Sequence, residues 1–256
     1  MKRAVPVLTL LLLSLMSVHV RAACTFGPPG TETTLQGVFN NVLGAGALSA
    51  TSDCLPSSTD AVWTAPGQVV ATIIIEIAGF SGTNSFGIYD PLHPSQQATV
   101  FTGSDSMGAT ATIQLVGNGG GYDVVVDGAL ATTFASNSFG FFLHTPQNNT
   151  FFSEAARNAD LADHMYSYQG NGHPFIGGPL NGTSFATSMY LLAFEDLLMS
   201  QSDRDYQDFV AAVNYASPIP IPAGVWLLGS VLAILGAWHE RGLRGLLWRS
   251  DGLMTA

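Results

Sequence analysis

The 256-residue sequence predicts an all-β domain, an antiparallel β-sandwich of jelly-roll-like form. Apolar residues occur in short runs rich in Val, Ile and Phe, turn-forming residues separate these runs, and 28 glycines interrupt the chain. Many short strands joined by tight turns are typical of sandwiches, because two sheets can bury their apolar faces against each other. An N-terminal signal peptide and a single C-terminal transmembrane helix are expected on either side of the domain.

The first expected element is a secretory signal peptide over residues 1–22. Two basic residues open the chain, an apolar stretch runs from Val5 to Val20, and small residues precede the expected cleavage point. Lipid attachment at Cys24 is the alternative, but Arg21 stands where lipoprotein signals usually carry an apolar residue. We therefore expect an exported domain over residues 23–217.

The strands of this domain are predicted from β-branched and aromatic runs. They cover residues 69–78, 111–116, 122–127, 139–144, 164–169, 188–194 and 208–215, and Phe86-Gly87 opens a further apolar strand. The glycine-rich turn Gly117–Gly121 joins two of these runs and predicts a hairpin. The stretch 153–165, "SEAARNADLADHM", is the one segment of helical composition, with a loop as the alternative.

Two cysteines, Cys24 and Cys54, lie in the exported part, where an oxidising compartment allows them to form a disulfide. The residues between them are rich in Gly, Thr, Ser and Asn and are expected to contribute little to the core. A crosslink that closes a loop of about 30 residues stabilises a fold by roughly 3–4 kcal/mol in the chain-entropy model. We therefore expect the disulfide to hold this segment in place.

The exported domain is strongly acidic. Of the chain's 18 acidic residues only Glu240 and Asp251 follow residue 217, whereas Arg157 and Arg204 are the only basic residues of 23–217, which gives a net charge of about −14. Nucleic-acid binding needs clustered Lys and Arg, so a nucleic-acid partner is excluded. The composition fits an exterior protein, or one whose carboxylates are neutralised by divalent cations.

One acidic cluster lies between the last two predicted strands. Its members are Glu195, Asp196, Asp203, Asp205 and Asp208. Because it joins the end of one strand to the start of the next, the two acidic groups should meet, and their repulsion favours a bound cation. Ca²⁺ accepts six to eight oxygen ligands in flexible geometry, so we expect these residues to bind calcium. The alternative is a solvated acidic loop in which Arg204 pairs with Glu195 or Asp208.

The chain ends with prolines, an apolar helix and arginines. Ala223–Trp238 carries no charge, and at 1.5 Å per residue it spans roughly 24 Å, somewhat less than the ~30 Å hydrocarbon core of a membrane. A basic tail follows, with Arg241, Arg244 and Arg249. The positive-inside tendency then places the tail in the cytoplasm and the domain outside. A simple single-pass anchor is the plain interpretation.

The proline segment also resembles a bacterial sorting signal. "IPIPAGVWLLGS" is similar to the "VPLPAGVWLLGSG" form of the PEP-CTERM signal, through Ile219, Pro220, Ile221, Pro222 and Ala223. This resemblance implies a Gram-negative bacterium, recognition by an exosortase-type processing enzyme at the inner membrane, and a cell-surface or extracellular-matrix destination.

A second resemblance covers most of residues 70–213. "FEDLLMSQSDRDYQDFV" resembles the closing motif of the DUF4114 family, "FEDLxxGGDxDYNDxVF", with serine and glutamine in place of the glycines and Gln207 in place of the asparagine. The resemblance implies a β-rich extracellular domain with a calcium-dependent fold, and it supplies no established activity.

These observations predict a non-enzymatic surface or matrix protein acting in biofilm formation, adhesion or exopolysaccharide association. A secreted glycan or peptide hydrolase is the alternative, and it would need either two positioned carboxylates in a cleft or a nucleophile with a base. The histidines are scattered, and His164, close to Asp160, is expected at the surface. A carbohydrate-binding module is the third option, and it would need one exposed ring from Phe141-Phe142 or Phe151-Phe152.

Overall fold

The computed structural model describes residues 24–28, 32–76 and 82–220, which form two antiparallel sheets. The predicted all-β sandwich is therefore confirmed. The expected signal peptide, the C-terminal helix and the basic tail lie outside the described residues, as do Ile221, Pro222 and Ala223 of the proline motif. Within the described ranges, no helix has the length and apolar character needed to cross a membrane.

Thirteen strands lie within the described residues. They are β1 (Trp63–Thr64), β2 (Gln68–Glu76), β3 (Ser85–Tyr89), β4 (Gln97–Phe101), β5 (Thr110–Gly117), β6 (Tyr122–Val126), β7 (Ala129–Phe134), β8 (Ser138–His144), β9 (Thr150–Phe152), β10 (Met165–Gln169), β11 (Met189–Phe194), β12 (Phe209–Asn214) and β13 (Ser217–Pro218). Two α-helices precede them, α1 (Leu35–Leu43) and α2 (Ser57–Asp60).

The strands pair in two sheets that differ in their number of strands. The seven-stranded sheet has the order β10-β11-β12-β2-β5-β6-β7, and the six-stranded sheet has the order β13-β1-β8-β3-β4 with β9 paired to β8. The β5–β6 hairpin forms as predicted, with Gly117 paired to Tyr122. The stretch of helical composition holds a single 3₁₀ turn, Ala155–Arg157, so it is mostly loop.

An aromatic core fills the space between the sheets. Trp63 packs edge-on against Phe141, with ring centroids 5.4 Å apart, and Phe86 stacks on Phe209 at 5.1 Å. All four rings are buried. The rings therefore join the six-stranded sheet to β12 of the other sheet and fix how the two sheets face each other.

A second core covers the outer face of the seven-stranded sheet at β10, β11, β12 and part of β2. Side chains of β11 alternate, so that Leu192 faces the inter-sheet core while Leu191 and Ala193 face α1 and its neighbours. Because both faces of β11 are covered, every residue of this strand is buried. This arrangement explains its uninterrupted apolar sequence.

The segment between the cysteines contributes much of this second core, so the expectation that it would add little was wrong. Helix α1 starts after Thr34, whose hydroxyl accepts a hydrogen bond from Gly37 N at 3.2 Å. Its buried residues are Leu35, Val38, Phe39, Val42 and Leu43. The predicted disulfide is confirmed between Cys24 and Cys54, and it ties the chain before α1 to the segment beside β10.

Candidate metal centre

The acidic cluster lies where β11 ends and β12 begins. These neighbouring strands are antiparallel, and Phe194 pairs with Phe209 at this end. Residues 195–196 therefore continue next to residues 205–208, as the sequence predicts. The loop between them returns through two residues in the left-handed region, Arg204 at φ 60° and Tyr206 at φ 56°.

The structure brings all five predicted residues together, but it buries four of them. Glu195, Asp196, Asp205 and Asp208 are between 1% and 7% exposed, while Asp203 is exposed. A solvated acidic loop is therefore not what forms here. Burial of carboxylates is costly unless protons, hydrogen bonds or a cation neutralise them.

The carboxylates fall into two groups that share one member. The inner triad is Glu195, Asp196 and Asp208, and the outer triad is Glu195, Asp203 and Asp205. Within each triad the candidate ligand oxygens lie within 4.8 Å of one another. Two carboxylates at that distance repel by roughly 3–4 kcal/mol at an effective dielectric constant of about 20, and a divalent cation between them reverses the sign.

Burial and mutual repulsion hold the carboxyl groups toward their protonated forms. Desolvation raises the pKa of Glu195 to about 7 and, together with the nearby Glu195 and Asp196, raises the pKa of Asp208 to about 10. Desolvation also raises the pKa of Asp196 and of Asp205. Without a cation, protons are thus the main neutralising charge at this site.

Two backbone amides partly compensate the negative charge of the carboxylates. Asp196 N donates to Asp208 Oδ2 at 2.9 Å, and Tyr206 N donates to Glu195 Oε2 at 3.4 Å. Arg204 does not pair with the buried carboxylates: its guanidinium donates to Met199 O at 3.3 Å. The alternative of an Arg204 ion pair with Glu195 or Asp208 is therefore wrong.

Two amide side chains complete the cluster, and sequence reasoning identified neither as a ligand. Asn84, which directly precedes β3, donates from Nδ2 to Asp196 Oδ2 at 3.0 Å. Gln207 donates from Nε2 to Asp205 Oδ2 at 2.8 Å and to Glu32 Oε2 at 3.0 Å. Both side chains are buried, and within the described part of the chain Asn84 Oδ1 and Gln207 Oε1 have no hydrogen-bond partner.

His164 is buried, so the expectation of a surface histidine was wrong. Its Nε2 lies 3.1 Å from both carboxylate oxygens of Asp160, and its ring stacks on Phe151 with centroids 4.0 Å apart. Burial lowers the pKa of His164 in spite of the nearby Asp160. Met199 N also donates to Asp160, so the Asp160–His164 pair is hydrogen-bonded to the loop that carries the acidic cluster.

The aromatic pairs offer no exposed stacking platform. Phe141, Phe142 and Phe151 are buried, and Phe152 is only partly exposed. Phe152 packs edge-on against Tyr89, with ring centroids 4.8 Å apart. The expected exposed ring for sugar binding is thus absent from these two pairs.

Comparison with curated proteins and with solved structures finds no match. A family model does match: residues 124–216, which include β11, β12 and all five carboxylates of the acidic cluster, are similar to the family described as "Domain of unknown function (DUF4114)".

Proposed function

We propose that this protein is a calcium-stabilised β-sandwich of an exported surface or extracellular-matrix protein. The observation that carries the proposal is the burial of four carboxylates, Glu195, Asp196, Asp205 and Asp208, with no basic side chain bonded to them within the described residues. Native proteins bury such charges when they are paired or when they bind a metal. The protein's role is then structural and adhesive, in biofilm formation or exopolysaccharide association.

The donor set favours calcium over other metals. Carboxylate and amide oxygens surround the site, and neither cysteine sulfur nor histidine nitrogen belongs to either triad. Hard oxygen donors in a loop of flexible geometry suit Ca²⁺, whereas Zn²⁺ prefers nitrogen and sulfur, and Mg²⁺ keeps several waters in strict octahedral geometry. Extracellular calcium is also the natural counter-ion for a domain of about −14 net charge.

The exported location rests on the disulfide and on the two chain ends. An oxidised Cys24–Cys54 pair fits an oxidising compartment. We further propose that the signal peptide directs export, that the proline motif is a PEP-CTERM signal read by an exosortase-type enzyme at the inner membrane, and that the apolar helix anchors the chain before sorting. Within the sandwich, the jelly-roll form stays a prediction.

A secreted hydrolase is the competing function, because a carboxyl group with a pKa near 7 can act as a general acid. Such chemistry needs a cleft beside the carboxylates. Two surface pockets are lined by described residues, one around His93 and Phe134 and one around Gln36 and Asp53, and no member of the acidic cluster lines either of them. The calcium role has the stronger support because the cluster buries four carboxylates that have no basic partner within the described residues.

Thermal unfolding of the purified protein with Ca²⁺ or with a chelator at pH 7.5 tests the proposal. Calcium at about 100 times its Kd should stabilise the fold by about 2.7 kcal/mol, which raises Tm by roughly 5–10 °C in a domain of this size. Asp208→Asn should abolish most of that increase, because it removes a ligand of the inner triad. Asp123→Asn makes the same chemical change on β6, away from the cluster, and should retain the full increase.

The proposal fails if Tm in millimolar Ca²⁺ equals Tm in chelator for the wild-type protein. A rise in Tm that is as large in Asp208→Asn as in the wild type would place calcium elsewhere and would also count against it.

A further inference from the structure

We propose that the acidic cluster binds two cations that share Glu195 as a bridging ligand, one in the inner triad and one in the outer triad. This inference rests on the proposed calcium function and adds the number of ions, their separate ligands and the role of two amide side chains. The expected ligands of the inner site are Glu195, Asp196, Asp208 and Asn84. Those of the outer site are Glu195, Asp203, Asp205 and Gln207.

Distance separates the two sites. Oxygens bound to one Ca²⁺ at 2.3–2.6 Å lie no more than about 5 Å from one another. The inner-triad oxygens meet this condition among themselves, as do the outer-triad oxygens, but the five carboxylates do not form a single group within 4.8 Å. This arrangement therefore favours two ions joined by Glu195 over one ion that is bound by all five carboxylates.

Each triad has its own buried amide oxygen without a hydrogen-bond partner. Asn84 Oδ1 belongs to a side chain 3% exposed whose amide lies against Asp196 of the inner triad. Gln207 Oε1 belongs to a side chain 1% exposed whose amide lies against Asp205 of the outer triad. An unsatisfied buried polar atom is costly and calls for a missing partner.

A cation supplies that partner through a half-turn of each amide. In the structure the NH₂ groups of Asn84 and Gln207 face the carboxylates of Asp196 and Asp205 at 3.0 and 2.8 Å. A 180° rotation exchanges nitrogen and oxygen and leaves two oxygens about 3 Å apart, a spacing typical of neighbouring ligands on one calcium ion. The amides then change from donors that hold carboxylates to ligands that hold metal.

The charge balance also favours two ions. Five ionised carboxylates carry five negative charges, and one Ca²⁺ would leave three of them uncompensated in a largely buried site. Two Ca²⁺ ions leave one, and protons are then no longer needed to neutralise Asp208. Glu32, which contacts Gln207 at 3.0 Å, adds negative charge on the side of the outer site.

Calorimetric titration of the chelator-treated protein with Ca²⁺ tests the two sites. We expect two ions per chain in the wild type and in the control Asp123→Asn, and one ion in Asp203→Asn and in Asp196→Asn. Asp203 is exposed, so Asp203→Asn is expected to fold normally. A melting curve in chelator checks that Asp196→Asn folds as well.

The outcomes separate this inference from the proposed function. One ion in the wild type, unchanged in Asp203→Asn, overturns the two-ion cluster while calcium stabilisation stands. No bound ion overturns both. Gln207→Glu gives an independent test: if Gln207 is a ligand, the added charge should tighten the outer site several-fold and leave the inner site's affinity nearly unchanged. Equal weakening of both sites would contradict the assignment.

Discussion

Asp208 and Glu195 give the cluster a pH dependence whose direction can be stated. Their pKa values are raised by burial, from 3.8 to about 10 and from 4.5 to about 7. A raised carboxyl pKa means that the folded state holds its proton more tightly than the unfolded state does. The contribution of these carboxyl groups to the free energy of unfolding is complete below pH 4, and it is lost as the pH rises through their pKa values in the folded state.

The metal-free protein should therefore melt at a lower temperature at pH 8 than at pH 5, because the unfolded chain ionises freely and the folded cluster does not. Calcium competes with these protons, so the rise in Tm caused by calcium should be larger at pH 8 than at pH 5. Melting curves at both pH values, with calcium or after chelator treatment, provide the measurement. In Asp208→Asn both differences should shrink, and an equal calcium effect at the two pH values would contradict the prediction.

At the scale of single residues, the carboxylates could be predicted and the amides could not. Glu195 and Asp208 flank two consecutive strands, so simple antiparallel pairing brings them together. Asn84 is separated from Asp196 by 112 positions and approaches from the other sheet. A lone asparagine before a strand carries no periodic signal, so only the packing of the two sheets reveals it.

Among the elements, the N-terminal segment, residues 24–28, packs against the loop between β11 and β12 that carries the acidic cluster. Gly27 N donates to Arg204 O at 3.0 Å, and Phe26 packs edge-on against Tyr206 with ring centroids 5.7 Å apart. A Cβ on Gly27 would overlap the carbonyl oxygen of Asp203. The close approach of the two backbones therefore requires glycine at this position.

Gly27→Ala should destabilise the protein by about 1–3 kcal/mol, the usual cost of overpacking, and should weaken calcium binding at the outer triad because Asp203 is displaced. Gly67→Ala is the matched control, since apart from its chain neighbours no atom lies within 4 Å of its added Cβ. Denaturant unfolding and calcium titration of both variants measure the difference. If Gly27→Ala kept the calcium affinity and the stability of the wild type, the N-terminal segment would not support the loop that carries Asp203.

The elements that sequence predicted best are the strands with strong β-branched or aromatic runs. β11 and β12 match their predicted ranges to within a residue at each end. Helix α1 was missed because glycine and polar residues around it suggested a loop. Its buried residues nevertheless recur at helical spacing, Leu35, Val38, Phe39, Val42 and Leu43, so the signal was present.

At the scale of the whole molecule, the Cys24–Cys54 disulfide links the second core, which contains α1, to the N-terminal segment beside the acidic cluster. Cys24 is three residues before Gly27, while Cys54 bridges to Tyr168 of β10. Phe39 of α1 packs on Tyr168 with ring centroids 4.8 Å apart. The crosslink therefore holds α1, the outer face of β10 and β11 and the N-terminal segment in one connected layer.

Replacing both cysteines with serine should lower the free energy of unfolding by roughly 3–4 kcal/mol and lower Tm by roughly 6–16 °C. Calcium should recover part of this loss, because the acidic loop lies against the loosened segment. Thermal melting of Cys24→Ser/Cys54→Ser with and without calcium measures both effects. A Tm unchanged from the oxidised wild type would mean that the crosslink constrains nothing.

The chain leaves the sandwich through β13, which holds β1 by two residue pairs, and Ile219 N adds one further bond to Val62 O at 2.8 Å. Ala216, just before it, is buried in the inter-sheet core. A force applied beyond Pro220 would therefore first break the few hydrogen bonds that join the edge strand β13 to β1. Residues 217–220 would then lengthen the tether by about 13 Å before any force reached the core. If the chain is anchored beyond Pro220, as proposed above, this release would let the domain absorb a brief pull without unfolding.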